Sequence, residues 1–382
     1  CSDKTFDLYD YRSENERRVT DALQTELTGQ VQLAGLQHDV TLSWLRQRQI
    51  DKLSALQAYN WAGTGSLSGV SESAAAPEPY YLNTNRQEYA TEVSVKDRVR
   101  VNQHADVWLG LRSSHIQRDS QKTDGSAATH DDRTVTTPWL ALSHKLPYNA
   151  TGYASYGQGV EAQVTPNRSR YTNAGVALPS AKSTQKELGL KGAQGAWLWS
   201  TALFDITRPL WGDQGACEEA NSCTRKLDGA ARHKGMELGL GYRSNQWKLD
   251  TAATKLNATR IEAVIDPSQN GQRPLNVPAL IVRAAAEYRW TEVPGLRTSV
   301  RLSHEGQRDL MEGGAMTLPS WTTADLAAHY NTKVAGHDTD WTFAVENVTN
   351  KAYWKESPKQ FGHYYLYAGA PRNFRLTVRT LF

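Results

Sequence analysis

Segments of strictly alternating apolar and polar residues, joined by short turns at one end and long loops at the other, constrain this chain more than any other feature. In "ADVWLGLR" the apolar parity is Ala105, Val107, Leu109 and Leu111, opposed by Asp106, Gly110 and Arg112. "LIVRAAAEYRW" sets Leu280, Val282, Ala284, Ala286, Tyr288 and Trp290 against Arg283, Glu287 and Arg289. "LRTSVRLSHE" sets Leu296, Thr298, Val300 and Leu302 against Arg297, Ser299, Arg301, Ser303 and Glu305. Successive side chains of a strand point to opposite faces, so each segment is a strand with one greasy and one charged face. Fifteen strands of this kind are predicted, the first at 18–32 and the last at 367–382.

Periodicity alone also fits a soluble sandwich, whose polar parity would be its wet outer face. Connection lengths separate the two. Short joins such as "LAGLQ", "KLPYNA", "GAQG", "RSNQ" and "TEVPG" alternate with long ones at 51–85, 118–135, 160–182, 209–230, 259–278, 307–317 and 348–366. Short turns on one rim and long loops on the other mark an outer-membrane β-barrel. In hydrocarbon every backbone N–H and C=O must pair internally, so strands cross only as a closed cylinder, apolar parity to lipid and charged parity to a wet interior. The expected fold is all-β, a transmembrane antiparallel β-barrel. A mean hydropathy of -0.61 is too polar for a helical membrane protein, and no stretch approaches the roughly 18 apolar residues of a spanning helix. The rings suit this reading: 12 Trp and 17 Tyr against 6 Phe favour aromatics with a polar handle, and Trp44, Trp139, Trp247, Tyr288, Trp290 and Trp341 are expected in the interfacial girdles.

The formal net charge of +3 gives no electrostatic case for nucleic acid. Cys217 and Cys223 stand in the loop-like stretch "ACEEANSCTR" and are expected to form a disulfide in an oxidising compartment, with Cys1 left over. No second Cys or His pair has zinc-ligand spacing, and the ten histidines are scattered. The chain starts at Cys1 without initiator Met, apolar signal segment or cleavage site, as expected of a processed or cropped sequence.

"YAGAPRNFRLTVRTLF" at 367–382, preceded by "FAVENVTNKAYW" at 343–354, resembles the C-terminal end of TonB-dependent outer-membrane receptors, the ferric-siderophore branch in particular. "LTGQVQLAGLQHDVTLSW" at 27–44, "LPSAKSTQKELGLKG" at 178–192, "ALFDITRP" at 202–209 and "GMELGLGY" at 235–242 agree in order and spacing. The resemblance implies a 22-stranded barrel around an N-terminal plug. Fifteen antiparallel strands cannot close evenly, and counting back from the last makes the first one here the eighth. Residues 1–382 are therefore expected to be the C-terminal barrel portion, with the plug, the TonB box and the first strands absent. In that family the terminal aromatic residue is part of the signal read by the barrel-assembly machinery, a role that would fall to Phe382.

The same resemblance implies uptake of a ferric siderophore from outside, released inward when TonB pulls on the plug, with outer-membrane lipid as the surrounding solvent and no cofactor. A capture site should combine rings with polar donors, and the candidates in loops or on the upper lumen face are Tyr80, Tyr81, Tyr171, Trp211, Trp321, Tyr364 and Tyr365. The lumen arginines Arg112, Arg283, Arg297 and Arg301 are expected to salt-bridge the wall or the plug. No spaced nucleophile, base and orienter can be read, so an enzyme is not expected. Uptake of a vitamin, haem or sugar complex, or passive conduction through a porin, are the alternatives.

Overall fold

In the computed structural model fifteen antiparallel strands pair in chain order into one sheet. The structure describes residues 5–381 apart from 67, 68, 70, 74–77, 167, 169, 218, 361 and 362, so Cys1 and Phe382 lie outside the described residues. The strands are β1 (Arg17–Leu33), β2 (Leu36–Lys52), β3 (Thr84–Arg100), β4 (Ala105–Lys122), β5 (Thr129–Leu146), β6 (Ala150–Glu161), β7 (Ala181–Gln194) and β8 (Trp197–Gly215). They continue with β9 (Cys223–Arg243), β10 (Trp247–Ile261), β11 (Leu280–Arg289), β12 (Leu296–Glu305), β13 (Trp321–Val334), β14 (His337–Glu346) and β15 (Asn373–Thr380). Among the described residues β1 and β15 each pair on one side only.

The expected alternation of joins is present. Ala34–Gly35 and Ala335–Gly336 turn the chain with positive φ at both positions, the twist that fits a tight hairpin. The long connections all leave the opposite rim, the extracellular one in a barrel of this type. Several strands outrun their expected lengths. β4 and β5 reduce the expected 118–135 loop to 123–128, and β8 and β9 climb beyond the membrane as a ribbon. Hydrophobic parity stops at the membrane edge, whereas backbone pairing does not, so periodicity understates these strands. The 53–83 connection also has structure of its own: Leu56–Ser66 pairs with Thr5–Arg12 in a small separate sheet.

Cross-strand register shows which solvent each parity meets. One row runs Leu142, Ala154, Leu188, Leu203 and Met236 across five neighbouring strands. Another runs Val300, Leu326, Val345 and Phe374. These residues point away from the charged parity and most are exposed, Leu188 by 60%, Leu203 by 54% and Phe374 by 63%, as are Leu27 and Leu376 on other strands. An apolar surface of that extent is untenable in water and is what hydrocarbon requires. Fully buried hydrophobic residues are instead small or gathered near the loops, as with Ala58, Leu178, Leu310, Leu318 and Trp321. Trp197 with Tyr242, and Trp247, Tyr288 and Trp290 in sequence, meet tilted or edge-on at 4.7–5.1 Å near the short-turn rim, a girdle at the interface. Trp139 departs from the expectation. Its register with Gly110 puts it on the face of Arg112, where it meets Trp108 edge-on at 6.4 Å inside the barrel.

Leu326 lies mid-band on the outer face. Leu326→Arg in the full-length protein is expected to destabilise the barrel by ~2–4 kcal/mol, measured by denaturant unfolding in vesicles, whereas Ser299→Arg, on the lumen parity, should stay near wild type.

Candidate extracellular binding mouth

The wall below the mouth is a lattice of ion pairs. Arg112 reaches Glu92 at 3.8 Å, Arg297 reaches Glu287 at 3.7 Å, Arg98 holds Asp106 at 2.8 Å, and Arg283 pairs with Glu305. Arg301 alone of the four expected wall arginines is exposed with no ion pair or hydrogen bond among the described residues. It borders a hollow of about 670 Å³ against the inner wall, shared with Lys191, Asp250 and Arg283.

Three groups of candidate residues emerge where sequence reading gave one. Tyr80 and Tyr81 stand exposed at 51% and 47%, ring centroids 4.0 Å apart. Their loop is anchored beneath by buried Asn83, whose amide donates to the carbonyls of Ser54 and Leu56 at 2.9 and 3.2 Å. The pair therefore presents two faces on a fixed base.

Tyr171 belongs to a strut. It is 2% exposed, and its hydroxyl donates to Asp213 Oδ2 at 2.9 Å while Arg225 holds the other oxygen at 3.2 Å. Asn173 completes the tie, donating to the Arg225 carbonyl at 2.8 Å and accepting its N–H at 3.1 Å. These bonds fasten the 162–180 connection to the β8–β9 ribbon. Trp211 sits half-buried in that ribbon with an unpaired buried indole N–H among the described residues. Cys217 and Cys223, the pair expected to bridge, stand beside it as neighbouring free thiols. Gly215 and Cys217 turn with φ of 121 and 62, and the Cys217 thiol donates to the Gly215 carbonyl at 3.7 Å. Cys223 is 1% exposed, and burial, helped by the neighbouring Cys217 thiol, pushes its pKa up to about 12.

The third group joins three connections. Trp321, on the lumen parity at the top of β13, is 6% exposed beneath Tyr353 at 4.5 Å, with the Arg283 guanidinium 5.8 Å from its ring. Glu305 accepts from both Arg283 and the 5%-exposed Arg308. Asn276 receives Arg308 Nη1 at 3.2 Å and the Ser357 N–H at 2.9 Å. Farther out, Lys359 donates to Glu312 at 2.5 Å, Tyr364 donates to the same carboxylate, and Lys359 lies 5.1 Å over the Tyr364 ring. Burial raises the Glu312 pKa, but these two donors outweigh it and hold the carboxyl below its usual range. Their contribution is thus present above the ordinary carboxylate pKa and lost as pH falls through the depressed one. Tyr365 is half-buried nearby, its N–H bonded to the Pro358 carbonyl at 3.0 Å.

Of the seven expected rings, Tyr171 and Trp321 are therefore packing residues. Tyr80, Tyr81, Trp211, Tyr364 and Tyr365 keep some surface. Tyr353, Glu305, Arg308, Asn276, Glu312 and Lys359 went unread, since their roles come from pairing across connections far apart in sequence. Among the described residues no cluster of His, Cys, Asp or Glu is fit to hold a metal ion.

A lipid-facing barrel wall, a charged lumen and a loop-built mouth define the outer-membrane receptor class. Residues 2–350 match the family model described as TonB dependent receptor-like, beta-barrel, and the chain belongs to that family. Its place is the outer membrane. It is 28% identical over 300 residues to the ferrichrome receptor FcuA of Yersinia enterocolitica, covering 76% of this chain and 38% of that protein. The fold is similar to BauA, the ferric preacinetobactin receptor from Acinetobacter baumannii, with a TM-score of 0.80 at 21% identity over 99% of this chain and 56% of that one. It is also similar to FyuA, the ferric yersiniabactin uptake receptor from Yersinia pestis, with a TM-score of 0.70 at 15% identity over 96% and 55%. The chain spans 38% of FcuA and just over half of the two solved receptors.

Glu305→Gln removes the shared partner of Arg283 and buried Arg308 and is expected to cost about 3 kcal/mol, read as a lower denaturant midpoint of the full-length protein. Tyr171 is expected to ionise near pH 12, because burial and the bond to Asp213 both favour the neutral phenol. Its contribution to stability is complete below the ordinary tyrosine pKa of about 10 and lost as pH rises through 12. Difference absorbance titration of wild type against Tyr171→Phe checks this.

Proposed function

We propose that the whole protein takes up a ferric siderophore across the outer membrane, with iron carried as cargo on its chelator and no bond made or broken in the ligand. The observation that carries this reading is the 28% identity to a ferrichrome receptor over most of this chain. The mouth supports it, because exposed rings at Tyr80 and Tyr81 and the half-buried Tyr364 beside Lys359 offer flat apolar faces next to polar donors. Such a mixture suits a large ligand whose organic skeleton surrounds a polar, oxygen-rich centre.

The reading extends to the rest of the machinery. Strands paired on one side only leave backbone groups unsatisfied, which hydrocarbon penalises. We propose that further strands complete the cylinder, that a plug fills it, and that TonB acts on the plug. The exposed Arg301 beside the inner-wall hollow is a natural counterion site for such a plug. We also propose that the barrel-assembly machinery is a partner, with Phe382 as part of the aromatic signal it reads.

Growth of an iron-starved, receptor-deleted strain carrying the full-length gene tests the uptake reading. Rescue by at least one hydroxamate or mixed-type siderophore is expected, and failure with every compound despite normal surface expression overturns it. A Tyr80→Ala/Tyr81→Ala double variant is expected to raise the half-saturating concentration of uptake about tenfold. An unchanged value removes those rings from the capture site while leaving uptake standing.

A further inference from the structure

The tip of the β8–β9 ribbon is built around two sulfur atoms that neither the barrel wall nor the exposed rings of the mouth use. Cys223 opens β9 directly across from Gly215, the last residue of β8. The two chains lie so close there that a Cβ on Gly215 would meet the Ser222 carbonyl oxygen at 2.1 Å. Cys217 stands at the reversal that follows, in a left-handed conformation that a residue of its type rarely takes. That turn makes its thiol the hydrogen-bonding neighbour of the Cys223 thiol.

Cys223 is also where the 162–180 connection lands. Its N–H and that of Ser222 both donate to the Arg170 carbonyl at 3.1 Å, and its own carbonyl accepts from the Thr172 N–H at 2.8 Å. Tyr171, between these two, forms a parallel bridge with Cys223, and the hydroxyls of Thr172 and Thr224 meet at 2.5 Å. Whatever fixes Cys223 therefore fixes residues 170–172 with it. Among the described residues no group of three metal-ligating side chains includes the pair. Thiol–disulfide exchange is the chemistry that two neighbouring thiols carry by themselves.

We propose that Cys217 and Cys223 are a redox latch on the mouth: joined as a disulfide they lock the ribbon tip and the 162–180 connection seated on it, and reduced they let both open. The outer membrane faces compartments in which disulfides form and persist. An oxidised protein dithiol carrier of the periplasm supplies the oxidant. The half-buried Cys217, as thiolate, attacks the carrier's disulfide and forms a mixed disulfide; the buried Cys223 sulfur then loses its proton and displaces the carrier thiolate. The S–S bond between Cys217 and Cys223 forms as the carrier takes up two electrons and two protons and leaves as a dithiol. Closing so short a loop restricts the opened states of the tip. No membrane-facing residue moves, and the latch does not depend on which ligand the mouth takes.

Alkylation mapping of the full-length protein isolated from the outer membrane, joined to limited trypsin digestion, tests the latch. Arg168 and Arg170 are the cleavage sites within the connection. Cys217 and Cys223 are expected to take up iodoacetamide only after treatment with dithiothreitol, and trypsin to cut the connection about tenfold faster once they are reduced. Cys217→Ser should be cut at the reduced rate with or without dithiothreitol, which separates this pair from any other disulfide of the protein. Heat-modifiable migration of the barrel should be the same for wild type and variant. Alkylation of both thiols without reductant that persists after treatment with oxidised glutathione overturns the latch. An unchanged cutting rate on reduction overturns it as well.

Discussion

The need to satisfy every backbone hydrogen bond without water governs this protein. Each spanning strand lies in an antiparallel ladder with its sequence neighbours, and the ladder leaves side chains free to serve two solvents at once. The hydrophobic effect stabilises the wall from outside, through residues such as Leu188, Leu326 and Leu376 that a soluble protein would bury. Ion pairs furnish the inside, where Arg283–Glu305 and Arg297–Glu287 tie adjacent strands across a wet lumen. Interior packing of the usual kind is confined to the mouth, where loops have no lipid to lean on.

That inversion explains what the sequence disclosed. Parity is written residue by residue, so the membrane-crossing part of β4, β11 and β12 was legible, as was the rim carrying the long loops. Trp139 misled because a tryptophan is at home at either interface, although its parity, opposite to Leu140 and Leu142, already set it on the lumen face that its register with Gly110 confirms. The strand extensions of β5 and β9 were invisible for a related reason: above the lipid neither parity need be apolar. The mouth was least legible. Tyr171 and Trp321 were picked as ligand contacts because they are aromatic and lie in the right region, yet Asp213 and Tyr353 consume their surfaces. The groups that decide those fates are dozens of positions away in the chain.

Within the mouth, acidic side chains act as junctions. Glu305 joins the barrel wall to the 306–320 connection through two guanidinium groups, and Glu312 joins that connection to the last long loop through Lys359 and Tyr364. Asn276 adds the third connection. A disturbance at any one of these loops has a continuous polar path to Arg283 on the lumen face.

Pairing between β8 and β9 slips between Pro209 and Trp211. Proline brings no N–H to the ladder there, and across from it Gly229 adopts φ 68, where a Cβ would meet the Glu262 carbonyl oxygen at 2.2 Å. Beyond this bulge the ribbon is held both by Asp228, which accepts from Arg260 of β10 and from the Val264 and Ile265 N–H groups, and by Tyr171 and Asn173 of the 162–180 connection. The bearing of the ribbon is thereby set in part by the 162–180 connection and not by the lipid-embedded staves alone. Lengthening or shortening the 162–180 connection can re-aim it while every membrane-facing residue stays as it is, so the gene can revise what the mouth admits without renegotiating how the cylinder stands in the bilayer.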